Sequence, residues 1–494
     1  MIHTPTLTRG LGLWQATAVN ITQIVGAGVF ATIPLILGVL PGPYALLAWL
    51  VAGVLILCDS LIWGELGAAM PAAGGSYHFL LESFGRSRWG RLMAFLFVWQ
   101  ILISGPLEVG SGLVAAAQFS TAFPKLKQLD EEYTRKIEVT IDVEEKPGAT
   151  PDDPPVIDKK VIGLAFGPTR LLGLILGLTI IALLYRRVTT LGRLSVIFVV
   201  GVFAVLGWVL IEGAIHFDPK VAFDTSVAPG EWKESFGLSL GAGMGLAIFS
   251  YFGYYNICYL GAEVREPART IPRSILLSAL IVVVLFTLVH LAIVGFIPWR
   301  EAAKETDNLT AEFMMRARGE WARNLVTLLL IGSCFASCFS GMLGYSRVPY
   351  AAATEGHFFR WFAAVHPRLH IPHRALLLIG AMVLFWSFFT LGDIINALIA
   401  TRILEQFVAQ AIGVMLVRRL QKNRPRPWKM WLYPLPCLVA LVGWLFVYYC
   451  TGRLFVVIGL TTLAVGLIVF VIWALQRLEW PFDNRLQANA QSKL

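Results

Sequence analysis

The sequence predicts an all-α integral membrane protein of about 12 transmembrane helices, because apolar stretches long enough to cross a hydrocarbon core of about 30 Å recur from Leu11 to Leu478. Composition points the same way. Of 494 residues, 57% are hydrophobic and 14% charged, with a mean hydropathy of +0.69, a balance that would not keep an ordinary domain in solution. The third observation is local: Ile24-Val25-Gly26-Ala27-Gly28-Val29-Phe30 puts two glycines inside the first apolar run. Glycine costs roughly 1 kcal/mol against alanine in a helix interior. Non-helical backbone at bilayer depth is tolerated only where it lines a cavity or is buried in protein, so the break reads as a binding site.

The expected spans, in order, are about 12–38, 43–70, 88–122, 169–186, 191–216, 237–262, 274–297, 321–355, 374–391, 393–418, 434–451 and 454–478. The first is too long for a cleavable signal and is followed directly by another span, so it is read as the first helix. The sixth is interrupted by Phe249-Ser250-Tyr251-Phe252-Gly253-Tyr254-Tyr255-Asn256, and paired discontinuous helices are the best sequence pointer to a secondary transporter's substrate site. Basic residues collect in alternate loops: Arg86, Arg88 and Arg91; Arg186, Arg187 and Arg193; Arg265, Arg269 and Arg273; Arg360, Arg368 and Arg374; then Arg418 to Lys429. By the positive-inside rule these loops and both termini are expected in the cytoplasm, in a multi-pass protein of the cell membrane. The formal charge of +9 is then explained by loops facing an anionic leaflet, and no nucleic-acid partner is expected.

Between spans 3 and 4, residues 125–162 leave the apolar pattern. Arg135 to Glu144 alternates with period two, Pro147-Gly148 to Pro154-Pro155 reads as a turn, and Val156 to Val161 follows, the signature of an external β-hairpin. It carries no catalytic constellation and is expected to be a solvated decoration, with an outer cap or docking ribbon as the alternative. Cys58, Cys258, Cys334, Cys338, Cys437 and Cys450 fall in or beside spans and read as small buried side chains. Prolines interrupt the run containing His366, His370 and His373, which argues for a loop against a metal site. There is no HExxH, nucleophile elbow or phosphate-cradling loop, so no enzyme activity, cofactor or metal is expected.

The motifs resemble those of the amino acid, polyamine and organocation transporters, and in particular bacterial-type amino acid permeases similar to the L-type amino acid transporters. The resemblance rests on Gly26-Ala27-Gly28-Val29-Phe30; on Glu65-Leu66-Gly67 with Pro71-Ala72-Ala73-Gly74-Gly75-Ser76-Tyr77; on Gly261-Ala262-Glu263-Val264-Arg265-Glu266-Pro267 with Ile271-Pro272-Arg273-Ser274-Ile275; and on Ala353-Thr354-Glu355-Gly356-His357 followed by His366-Pro367 and Ile371-Pro372. It implies the LeuT-like fold, a 5+5 inverted repeat with discontinuous helices 1 and 6. The transporter core would be 1–418, its repeats about 11–216 and 237–418, with the hairpin inserted at 125–162 and two additional C-terminal helices within 430–480.

The expected function is secondary-active transport of an α-amino acid by alternating access. The alternatives are a polyamine or cationic amine transporter and a non-transporting sensor on the same fold. The resemblance places the substrate carboxylate on the amides at Ala27 and Gly28, beside Gly26. A half-helix starting there presents amides and a partial positive charge suited to an anion. The ammonium would go to the carbonyls of Ile24, Phe249 and Phe252, with Ser250 and Gly253 in the second break and Phe249 as gate. For coupling, the family's helix 5 lysine is replaced by Val202, whereas Ser337 and Ser340 lie near the family's sodium site, so Na+ or H+ remains open. Glu108, Glu212, Asp393, Glu405, His290, Asp59 and Glu65 are candidates because charge inside a span is costly. Glu108 could carry a proton or meet a cationic substrate.

Overall fold

The computed structural model describes residues 10–481 except 27, 73, 87, 147–155, 186–190, 229–230, 233, 306–307, 370 and 478–479. The helices are α1 (Leu13–Ile24), α2 (Gly28–Val39), α3 (Ala45–Ala69), α4 (Ser76–Ser83), α5 (Trp89–Ser120), α6 (Pro124–Tyr133), α7 (Pro168–Leu184), α8 (Leu191–His216), α9 (Pro219–Ala222) and α10 (Phe236–Tyr251). They continue with α11 (Pro267–Val294), α12 (Trp299–Ala302), α13 (Leu309–Arg318), α14 (Glu320–Tyr345), α15 (Arg347–Thr354), α16 (His373–Trp386), α17 (Leu391–Arg402), α18 (Ala409–Leu420), α19 (Leu435–Cys450) and α20 (Arg453–Arg477).

Among the described residues, six helical stretches are long and apolar enough to cross a membrane, the bent pair α1 and α2 makes a seventh, and five shorter apolar helices bring the set to twelve. The chain is a multi-pass, all-α membrane protein. Its core sits where α3 packs against α10, α11 and α19, and where α5 packs against α14, α16 and α17. Trp49, Trp63 and Trp444 are buried completely.

The structure departs from the sequence pattern in three of the spans. The sixth span does not continue as a helix to 262: α10 stops at Tyr251, and short 3-10 turns at Asn256–Tyr259 and Gly261–Glu263 follow. Gly253 turns the chain at φ +114° with Gln23 packed beneath it, a backbone state that side chains rarely adopt. The seventh span begins earlier than 274, at Pro267, since proline at the first helical positions needs no amide partner. The tenth contains a π-helical turn, Ile403–Val408, between α17 and α18.

The insertion folds as an antiparallel hairpin, β1 (Arg135–Lys146) with β2 (Val156–Phe166), irregular between Thr140 and Asp142. Its turn, 147–155, lies outside the described residues. Within the expected 125–162 insertion α6 precedes the hairpin, and β2 runs past residue 162 to Phe166, where it docks on the bundle. Ala165 N donates to Phe388 O (2.8 Å), and the Phe166 and Phe388 rings pack 4.9 Å apart. Asp130 Oδ1 accepts from Thr134 Oγ1, Thr169 Oγ1 and Thr169 N, tying α6 to the first turn of α7. On α12, Arg300 pairs with Glu231 (2.7 Å) and Asp224 (3.3 Å) of the segment before α10. Hydrogen bonds from Ser226, then Arg300, hold the Asp224 carboxyl below its ordinary range, and Arg300 does the same for Glu231.

At the opposite end from that cluster the chain just before α1 joins the segment after the second break. Gly10 N and Leu11 N donate to Glu263 O (2.9 and 3.1 Å), and Arg265 N donates to Leu11 O (2.9 Å).

Candidate functional site

The first apolar run breaks between Ile24 and Gly28, where α1 and α2 meet at 48°. Val25 takes a non-helical ψ of 80°; Ala27 lies outside the described residues. The first amides of α2 have no partner within their helix. The second break begins at Phe252 (ψ 139°). Asn20, fully buried on α1, ties that helix to the second break and to α11: its Oδ1 accepts from Ile257 N (2.8 Å), and its Nδ2 donates to Ser278 on α11 (3.2 Å).

Both breaks open onto one cavity of about 50 Å³. Of the residues expected at a site, Ile24, Gly26, Gly28, Phe249, Ser250, Phe252, Ser337 and Glu108 line it. Gly253 does not; it turns the backbone and packs on Gln23. Ser340 does not line it either, so the two hydroxyls expected near an ion are not both brought to the cavity. Val202 is buried among apolar side chains of the main core.

The glycines also have a packing role. A Cβ on Gly26 would lie 2.8 Å from Ser337 Oγ, and one on Gly28 would lie 3.1 Å from Ser250 Cα. The first break therefore depends on two missing side chains, at Gly26 to let α14 approach and at Gly28 to let α10 approach. Ser250 and Thr32 share a hydrogen bond of 2.8 Å, fixing α10 against α2. The carbonyls of Ile24 and Phe249 each accept one local amide, from Gly26 (2.9 Å) and Phe252 (3.3 Å). A carbonyl has a second lone pair, so each can accept again.

Sequence reasoning missed Arg402, at the end of α17. It is completely buried and pairs with Glu108 on α5. Its other N–H groups donate to Tyr255 Oη (3.2 Å) and Ser104 Oγ (3.2 Å from Nη2), and its guanidinium lies over the Phe252 and Tyr345 rings. Tyr345 Oη donates to Glu108 Oε2 (2.6 Å). The available signal was an arginine in mid-span, a costly placement that calls for a partner.

The remaining charged candidates have other partners. Glu212 binds Arg318 (2.8 Å) and Trp208, Glu65 binds Arg418 (2.8 Å) and the Met430 amide, and Asp393 accepts from Thr390. His290 accepts from Trp49 (3.2 Å). Asp59, on α3, is held by Tyr254 and by Trp444 Nε1 (3.2 Å). Glu405 is buried in the π-helical turn. His366 and His373 approach edge to face, His370 lies outside the described residues, and among those described no three His, Cys, Asp or Glu side chains are placed to hold a metal.

A bundle of membrane-crossing helices with two broken segments meeting at one cavity defines a membrane transporter. The chain belongs to the amino acid permease family, whose model matches residues 11–475, and it is an amino acid transporter. It is 28% identical to an uncharacterized transporter of Mycobacterium tuberculosis over 94% of this chain and 91% of the relative. A serine/threonine exchanger of Bacillus subtilis is 25% identical (89% and 90% covered), and a branched-chain amino acid permease of the same organism 22% identical (95% and 93% covered).

Proposed function

We propose that this transporter carries an α-amino acid with an uncharged side chain across the cytoplasmic membrane by alternating access, as a permease or exchanger. The observation that carries this is the convergence of both helix breaks on one cavity. The carboxylate would sit at the first amides of α2, near Gly26, Ala27 and Gly28. The ammonium would sit at the spare lone pairs of Ile24 and Phe249 and at the Phe252 carbonyl, with the half-buried Phe249 ring closing over them. The uncharged side chain follows the names of the serine/threonine exchanger and the branched-chain permease; relatives named as cationic amino acid transporters are 23–25% identical, so a cationic substrate is the alternative, which binding of lysine against neutral amino acids separates. In this reading both termini and the arginine-rich loops face the cytoplasm, as the basic-residue bias supports.

The test is competition binding to purified protein with neutral amino acids and their methyl esters. Acids are expected to compete and esters to lose most affinity, because esterification removes the charge that meets the amides. Equal competition would turn the reading toward amines. Sodium, added at constant ionic strength, is expected to leave affinity unchanged, since Ser337 packs on Gly26 while Ser340 stands away from the cavity. A rise in affinity abolished by Ser340→Ala would instead identify a sodium-linked transporter, because linked ligands strengthen each other equally.

A further inference from the structure

Glu108 lines the cavity and its side chain is 15% exposed, whereas Arg402 behind it is 0% exposed. Both resolved hydrogen bonds to the carboxylate, from Tyr345 and Arg402, fall on Oε2; Oε1 has no hydrogen-bond partner among the described residues. Among the described residues the guanidinium meets no other carboxylate: its remaining donors go to the hydroxyls of Ser104 and Tyr255. The pair thus cancels, and the cavity wall presents an acceptor oxygen with no net charge behind it. In a medium of low dielectric an unpaired charge at this depth would dominate which ligands enter.

We propose that Arg402 is a specificity-determining residue that sets the charge of the accepted side chain. By neutralising Glu108 it excludes cationic amino acids and leaves Oε1 to accept a hydrogen bond from a neutral side chain. This rests on the proposed amino acid site at the helix breaks. Charge selectivity is then a property of the Glu108–Arg402 pair, and removing either partner moves it in opposite directions.

The test is a binding panel on purified full-length protein with L-threonine, L-leucine, L-lysine and L-aspartate, for wild type, R402M, E108Q and the double variant. Wild type is expected to bind neutral ligands over both charged ones. R402M exposes the carboxylate and is expected to raise the lysine-to-threonine affinity ratio by about tenfold or more. E108Q, nearly the same shape, leaves the guanidinium uncompensated and is expected to raise the aspartate-to-threonine ratio instead. The double variant should return to neutral preference. Should R402M fail to fold, E108Q alone decides. Folded variants with unchanged ratios would reduce the pair to a structural tie and overturn the proposal. Wild type that binds none of the four would overturn the underlying site instead.

Discussion

One methyl group separates an open break from a filled one at Gly28. Ser250 Cα is already 3.1 Å from the position of a Cβ there, and backbone cannot swing away as a flexible side chain can. Gly28→Val is expected to destabilise by about 1–3 kcal/mol, the usual cost of overpacking, and to abolish substrate binding. Gly38→Ala, in the same helix with nothing within 4 Å, should leave binding unchanged. Thermal unfolding with and without substrate measures both effects, and full affinity in folded Gly28→Val would remove the break from the site. At this scale the cavity was legible wherever a residue violates its own helix, as Gly26 and Gly28 do. Arg402 was not legible in that way, because its meaning lies in a carboxylate 294 positions away and no local period reports such a partner.

Among the elements, spans were readable and their interruptions less so. Length and hydropathy locate α5 or α20 within a few residues, since burial in lipid acts on every residue of the span. Where α10 ends is decided by Gly253 seated on Gln23 and by Asn20 capturing the Ile257 amide, contacts made with a helix over 200 residues earlier. The π-helical turn after Arg402 has no composition of its own. The hairpin shows both sides: its alternation announced the strands, but its anchoring did not show. Asp130 serves the first turn of α7 much as a capping side chain does, so Asp130→Ala should cost about 1 kcal/mol, seen as a lowered melting temperature. Replacing residues 141–160 by a short Gly-Ser turn keeps Asp130 and the Ala165 contact, and is expected to leave transport intact. Loss of uptake by a well-folded protein of that design would make the hairpin part of the transport cycle.

For the whole molecule, α19 is structurally joined to the second break, and α20 packs on α17 and α5. Trp444 of α19 donates to buried Asp59 and stacks on Phe407 at 4.1 Å; Phe407 in turn stacks on Phe252 at 5.6 Å, at the edge of the cavity. Ending the chain after Leu420 would strip a donor from a buried carboxylate and uncover an aromatic stack. The expected result is a protein that fails to give a monodisperse, ligand-stabilised peak in size-exclusion and thermal-shift measurements. A truncated chain that binds substrate normally would show the pair to be dispensable. The pairing of Leu11 with Glu263 and Arg265 has a different kind of consequence. Its three bonds are all main chain, so Leu11→Ala and Arg265→Ala should leave it whole, whereas Leu11→Pro deletes a donor. If alternating access parts these segments, an alanine scan would pass over the seam without a trace. Hydrogen exchange would register it: the Leu11 and Arg265 amides should be protected while that end is shut and exchange faster whenever it opens, giving a clock for the cycle that needs no label and no altered side chain.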